Sequence, residues 1–557
     1  MTYRVMRVST QPGTHKPSAV IELPLLHRRV DESERFRPFP KKSFEEDLAQ
    51  ALFVLLIPIV VADALFHASS RGLWFDEILT LFISSQSNLT GMWNLLIHGV
   101  TSHPPTFYMI EHVMRGLGGN ERITMRLVSI ASFLCVMACM FIFTRKRVGD
   151  LIAVISTSAL LLTLLYNFYA FEARPYQLMV ACIAIALLSY ERANSWAGAV
   201  IFIASLTLAT SLNFYAGFAF LPFGLAELTY LATHKKFRLQ IWAGFLVGVL
   251  PYIPFWPLLH IQQVLFGVHS FAAPTLHALA GSIAELLRQE TILSCVAFGV
   301  LLIYVMHLAL SGEIGQRQTS PPGLGFSLSD VALTVGFLLI PIVTYVAAKI
   351  FNGALAGRYV LVTALGICLA LSVVLSRLKK AGVILVGVFI FCSFATQEVA
   401  FGRNELKPRE VELRNPIQLP SQVATNMKVP LVICNGINFL QYWHQSSDDI
   451  KPNLFFLADS KEQYAASGSE TTTIQMWTLT YQPLLNVETF PDFASNHRKF
   501  LVYSTGDDQD FWPRWLVQRG YTLKVVSVDP PSHGVLGDGG RILPKAILYF
   551  VDLDERK

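Results

Sequence analysis

Ser70-Arg71-Gly72-Leu73-Trp74-Phe75-Asp76-Glu77 follows directly on a long apolar run and places two adjacent carboxylates behind two aromatic rings. Charge held against a bilayer is costly, so acids at such a boundary mark a candidate site. The stretch has this meaning only if the apolar runs on either side cross a membrane, and composition says that they do. The chain is 53% hydrophobic and only 15% charged, where a soluble globular protein carries about a quarter charged residues. Its mean hydropathy is +0.46. A net charge of +5 over 557 residues gives no reason to expect a nucleic-acid partner.

Apolar runs near 48–66, 127–144, 151–169, 176–190, 197–212, 214–232, 241–258, 291–310, 330–348, 359–376 and 382–397 give about 11 transmembrane helices. A crossing helix needs roughly 20 residues, so the runs at 176–190 and 197–212 are short. Basic residues fix the orientation. Arg145-Lys146-Arg147, Arg192, Lys235, Lys236, Arg238, Arg317, Arg377, Lys379 and Lys380 fall on one side, while 211–214 and 259–282 carry no Lys or Arg. By the positive-inside rule the basic side is cytosolic.

This layout divides the chain into three. Residues 1–46 read as a cytosolic basic tail, residues 47–397 as a transmembrane module and residues 398–557 as an extracytoplasmic domain. The long outer loop 67–126 carries the acidic motif and helix-like stretches at Ile78–Ile97 and Thr106–Met114. A second outer segment, 256–290, ends in an amphipathic piece, Ile283–Arg288. In the C-terminal part, Pro430–Cys434, Asn453–Leu457, Lys499–Tyr503, Thr522–Val528 and Ile547–Val551 read as strands, and Phe439–His444 and Phe511–Arg519 as helices. Their alternation predicts a small α/β domain with a partly parallel sheet. Gly537–Arg541 reads as a turn between strands. The seven cysteines form no metal-binding spacing and imply no disulfide framework.

Polar residues assigned to the outer side are Asp76, Glu77, His103, Glu172, Arg174, Tyr176, Lys349, Arg358 and Tyr359. Carboxylates in one loop and cations in others suit a lipid-phosphate donor. Arg and Lys would bind phosphate, and a carboxylate would take the acceptor's proton. Neighbouring residues do not face one way on a helix or a strand, so Asp76 and Glu77 would not act as a matched pair. A single base suits direct displacement with inversion. Each residue also has a plainer reading: Asp76 as a helix N-cap, His103 before Pro104-Pro105 as a structural turn, Arg174 and Lys349 as snorkelling cations. Asp63 reads as a locally paired group, Asn88-Leu89-Thr90 as a chance glycosylation match, and His260, His269 and His277 as no metal set.

Trp74-Phe75-Asp76-Glu77, His103-Pro104-Pro105-Thr106-Phe107-Tyr108, Ala173-Arg174-Pro175-Tyr176 and Gly357-Arg358-Tyr359, in this order and all on the outer side, resemble the GT-C membrane glycosyltransferases. The resemblance is to the bacterial branch of protein O-mannosyltransferases and aminoarabinose transferases. It covers roughly residues 48–397 and implies a GT-C fold in a bacterial inner (plasma) membrane. It also implies a polyprenyl-phosphate sugar donor and inverting transfer at the outer face, to a glycan, lipid or protein acceptor that the sequence does not specify. It gives Asp76 the role of base or acceptor binder, with Glu77 in support. Arg174, Lys349 and Arg358, with Tyr176, Tyr359 and His103, are expected on the donor's phosphate and sugar. No cofactor or metal site is expected, although a divalent cation stays open. The competing readings are a transporter or flippase for lipid-linked sugars and a non-catalytic assembly factor. Transporters commonly show duplicated halves, and this chain shows none.

Overall fold

A computed structural model describes residues 44–266, 272–311, 325–406, 418–481, 485–506, 510–528 and 546–556. His269, Arg317, the Gly537–Arg541 turn and the basic tail up to residue 43 lie outside the described residues.

All eleven apolar stretches are helical. Six helices are long and apolar enough to cross a membrane by themselves: Glu46–Ser70, Glu121–Val148, Phe214–His234, Thr291–Leu308, Leu328–Phe351 and Lys380–Ala400. Two bent pairs bring the number to eight. Asp150–Leu162 and Leu164–Phe171 meet at 51°, and Leu239–Gly248 and Tyr252–Leu265 at 45°. The first bend falls at Thr163, whose backbone is extended. The carbonyls it would strand are taken up by Asn167 Nδ2, 2.9 Å from the Leu161 oxygen, and Thr163 Oγ1, 2.7 Å from that of Leu160. The second falls at Pro251, which has no N–H to continue the ladder. The helices Pro175–Tyr190, Trp196–Leu212 and Thr363–Leu375 have 16, 17 and 13 residues, fewer than a crossing usually needs. The chain is thus an integral membrane protein with six to eight candidate spans, three shorter apolar helices completing the set of eleven stretches.

The helix Glu121–Val148 measures the body. Near its start Arg126 pairs with Glu77. Near its end Arg147 pairs with Glu191 at 2.5 Å and Asp330 at 2.6 Å, and Lys146 joins Glu191 at 2.7 Å. At about 1.5 Å per residue the two arginines stand about 32 Å apart, close to the roughly 30 Å of a hydrocarbon core. The basic cluster Arg145-Lys146-Arg147 thus lies at one end of this helix, and the acidic motif, through Glu77, at the other.

The connection after the first helix folds into three short helices, Phe75–Ser84, Leu89–Ile97 and Thr106–Arg115. The expected single helix Ile78–Ile97 is split because Asn88 caps the second one, its side chain accepting from Gly91 N at 2.8 Å. That capping role uses the asparagine of the Asn88-Leu89-Thr90 triplet.

The C-terminal part builds a six-stranded sheet from β1 (Leu431–Ile433), β2 (Leu454–Leu457), β3 (Asn486–Glu488), β4 (Lys499–Ser504), β5 (Tyr521–Val528) and β6 (Ile547–Arg556), in the order β3-β2-β1-β4-β6-β5. The first four neighbours are parallel; β6 joins β4 and β5 antiparallel. β3 lies outside the strands read from the sequence, because it is three residues long and Val487 is its one apolar residue. Alternation along β1 separates two cores. Leu431 and Ile433 belong to an apolar cluster continuous with the helical body, while Val432 and Cys434 pack with Phe493 and Trp512 on the opposite face. The sheet is docked on the helices by its own hydrophobic face.

Candidate active site

The site is built from the start of the helix Phe75–Ser84. Glu77, in its first turn, is fully buried. One oxygen accepts from Arg126 Nε at 2.7 Å and Ala173 N at 2.9 Å; the other accepts from Arg126 Nη2 at 2.5 Å and Trp74 N at 3.1 Å. Arg126 also donates to the carbonyls of Ala68, Arg71 and Gly72 at 2.7–2.9 Å, so every guanidinium N–H has a partner. Such a paired, fully hydrogen-bonded ion pair can be held without water. Glu77, expected beside Asp76 in the site, is thereby turned into the interior and fixes the loop. It does not line the cavity.

Asp76, one residue earlier, points the other way. Its Oδ2 lies 3.5 Å from Arg174 Nη2 and 3.5 Å from Arg358 Nη1. Arg174 is held in extended backbone just before Pro175, which opens the next helix. It also donates to the Asp76 carbonyl at 3.2 Å and reaches His103 Nδ1 at 3.3 Å. Arg358 comes from a tight turn, Gly357–Tyr359. Gly357 donates to Glu285 Oε2 at 2.9 Å, and a Cβ in its place would meet that oxygen at 2.3 Å. The turn therefore requires glycine at this point.

His103 is buried between Tyr176 OH at 3.0 Å and Thr101 Oγ1 at 3.1 Å. A guanidinium beside Nδ1 leaves that nitrogen as an acceptor, so the proton sits on Nε2, facing Tyr176. Burial, then the charges of Arg174 and Arg358, pushes its pKa well below the usual range. His103 is a neutral positioning group for Arg174. Glu172 accepts from Trp74 Nε1 at 2.6 Å. Burial, then the charges of Glu77 and Asp76, raises its pKa well above the carboxylate range and holds it protonated. Asp76 is therefore the carboxylate that faces the open space.

That space is a cavity of about 740 Å³. Asp76, His103, Arg174, Tyr176, Arg358 and Tyr359 all line it. Tyr359 stacks on Tyr215 at 4.1 Å. Lys349 does not line it; its side chain is exposed on the last turn of Leu328–Phe351, although Ala348 and Phe351 beside it do reach the cavity. Trp256, Leu259 and Phe351 supply apolar wall. The far wall comes from the C-terminal part, including Gln463, Thr472 and Gln475. It is anchored over the segment that follows the helix Leu89–Ile97 by Gln475 Nε2 on the Val100 carbonyl at 3.1 Å and Thr478 Oγ1 on that of His98 at 2.8 Å.

Among the described residues, Asp63, His67 and Glu398 bring three possible metal ligands within 4.8 Å of one another. They join the first helix to Lys380–Leu406, with Tyr166 also donating to Asp63, and none of them lines the cavity. In the cavity, one carboxylate oxygen shared by two guanidiniums is a poor place for a further cation.

The fold is that of the membrane protein ArnT. Among solved structures the chain is similar to ArnT from Cupriavidus metallidurans bound to undecaprenyl phosphate, with a TM-score of 0.53 at 12% identity over 90% of this chain and 97% of that one. The apo state of that ArnT gives a TM-score of 0.52 at 14% identity, covering 90% and 98%. No family model matches the chain, and no curated protein matches its sequence.

Proposed function

We propose that this chain is an integral membrane glycosyltransferase that moves a sugar from a polyprenyl-phosphate carrier to an acceptor at the extracytoplasmic face, with inversion. The observation that carries this reading is Asp76 held between Arg174 and Arg358 on one cavity. Two fixed cations and one anion leave a net positive charge for a phosphate, and the carboxylate is placed to accept a proton. Undecaprenyl phosphate in the ArnT crystal structure supports the donor class.

In the reaction, an acceptor hydroxyl attacks the anomeric carbon as Asp76 takes its proton. The bond from that carbon to the phosphate oxygen breaks, and the electron pair leaves on the polyprenyl phosphate. Arg174 and Arg358 stabilise the charge that develops there. His103 holds Arg174 in place, and Tyr176 and Tyr359 border the sugar and phosphate. The apolar wall at Trp256, Leu259 and Phe351 receives the first isoprene units. All eleven helical stretches cross the bilayer of a bacterial inner membrane, with residues 1–46 inside and residues 398–557 outside.

The reading is tested by incubating the purified chain with radiolabelled undecaprenyl-phosphate sugars and membrane extract. Release of undecaprenyl phosphate with label moved to a second product supports it. Movement of intact lipid-linked sugar across a vesicle, without cleavage, would instead establish transport.

A further inference from the structure

The charged groups that line the cavity, Asp76, Arg174 and Arg358, and the ionisable His103 all belong to the membrane half. The wall supplied by the C-terminal part is uncharged: Ile437, Gln463, Ser469, Thr471, Thr472 and Gln475. Gln463 sits on the helix Ser460–Ser467 and is only 4% exposed, yet its Oε1 has no hydrogen-bond partner among the described residues. A buried amide oxygen left without a donor is costly, and its residue is one of those that line the cavity. Gln475 uses its amide N–H on the Val100 carbonyl and keeps its oxygen as an acceptor. Ser469 and Thr471 pair their hydroxyls at 3.1 Å and can each still donate or accept.

We infer that the C-terminal domain is the sugar-reading half of the cavity, and that it selects an uncharged, hydroxyl-bearing ring. This rests on the polyprenyl-phosphate reading above. Amides and hydroxyls match sugar hydroxyls, which both donate and accept. They offer no cation to a second phosphate and no carboxylate to an amino sugar. The cavity's carboxylate, Asp76, is already held by two guanidiniums. The ring is either the one on the carrier or the one on the acceptor.

The test uses the full chain in lipid nanodiscs with three probes: undecaprenyl phosphate, its neutral hexose conjugate and its aminopentose conjugate. The wild type is expected to bind the hexose conjugate more tightly than the aminopentose one. Gln463→Leu and Thr472→Val are expected to bind undecaprenyl phosphate unchanged, which shows they are folded, and to weaken the hexose conjugate at least about fivefold. If that conjugate is unaffected, maltotriose is added to the chain preloaded with undecaprenyl phosphate; a similar loss of its binding in the variants assigns the wall to the acceptor's ring. Wild-type behaviour of both variants with every probe, or a preference for the aminopentose conjugate that both variants lose, overturns the inference. A wild type that binds none of the three lipids overturns the carrier reading itself, and the inference with it.

Discussion

Glu77 and Arg126 form a buried, two-pronged ion pair that turns one of two adjacent acids into a structural clamp and leaves the other facing the cavity. Removing one partner of such a pair strands a buried charge and costs about 3–5 kcal/mol. Glu77→Gln is therefore expected to lower thermal stability sharply in a detergent melt, whereas Asp76→Asn leaves the melt near that of the wild type. Equal melting of Glu77→Gln and wild type would show that the clamp does not hold the loop.

The turn at Gly357 positions Arg358 through backbone shape alone. A methyl group there runs into Glu285, whose carboxylate accepts the Gly357 N–H. Gly357→Ala is expected to cut transfer at least about tenfold, mainly through weaker donor use, while the protein stays folded. Restoration of activity by adding Glu285→Ala would identify the clash as the cause.

Arg358 itself offers a planar fork, which a lysine ammonium does not reproduce. Arg358→Lys keeps the charge beside Asp76 but is expected to raise the KM for the polyprenyl-phosphate donor several-fold. Kinetics with donor and acceptor varied separately check this; a change confined to the acceptor would place Arg358 on the other substrate.

Glu111 lies buried in the helix Thr106–Arg115, and neither of its carboxylate oxygens has a hydrogen-bond partner among the described residues. Burial, then the charge of Glu77, pushes its pKa up to about 9 from an ordinary 4.5. The folded state therefore holds a proton that the unfolded state gives up between those values, and stability falls as pH rises through this window. Glu111→Gln removes the proton uptake. Its melting temperature is expected to match the wild type near pH 4.5 and to exceed it increasingly towards pH 9, as read from melts across that range.

The helical architecture was legible because burial in lipid writes itself as uninterrupted apolar sequence, and because the basic clusters at Arg145–Arg147 and elsewhere mark one side. The strands with buried central residues, such as Leu431–Ile433 and Leu454–Leu457, could be read for a similar reason. Asp76, Arg174 and Arg358 stood out as charges at the edges of apolar runs. The adjacency of Asp76 and Glu77 already implied opposite directions, but which one faces inward depended on Arg126, a lone charge just before the run at 127–144. Lys349 met the same sequence criterion as Arg358 and ends exposed, because the helix rotation that decides it is not written at one position. The uncharged wall around Gln463 carried no signal at all. Its glutamines, serines and threonines are ordinary surface residues until the sheet docks on the helices.

The most direct measurement is single-turnover transfer from a labelled undecaprenyl-phosphate sugar by Asp76→Asn, with donor binding followed in the same sample. The account predicts a folded protein that still binds the donor through Arg174 and Arg358 and releases no detectable transferred sugar. Transfer at the wild-type rate by Asp76→Asn would contradict it.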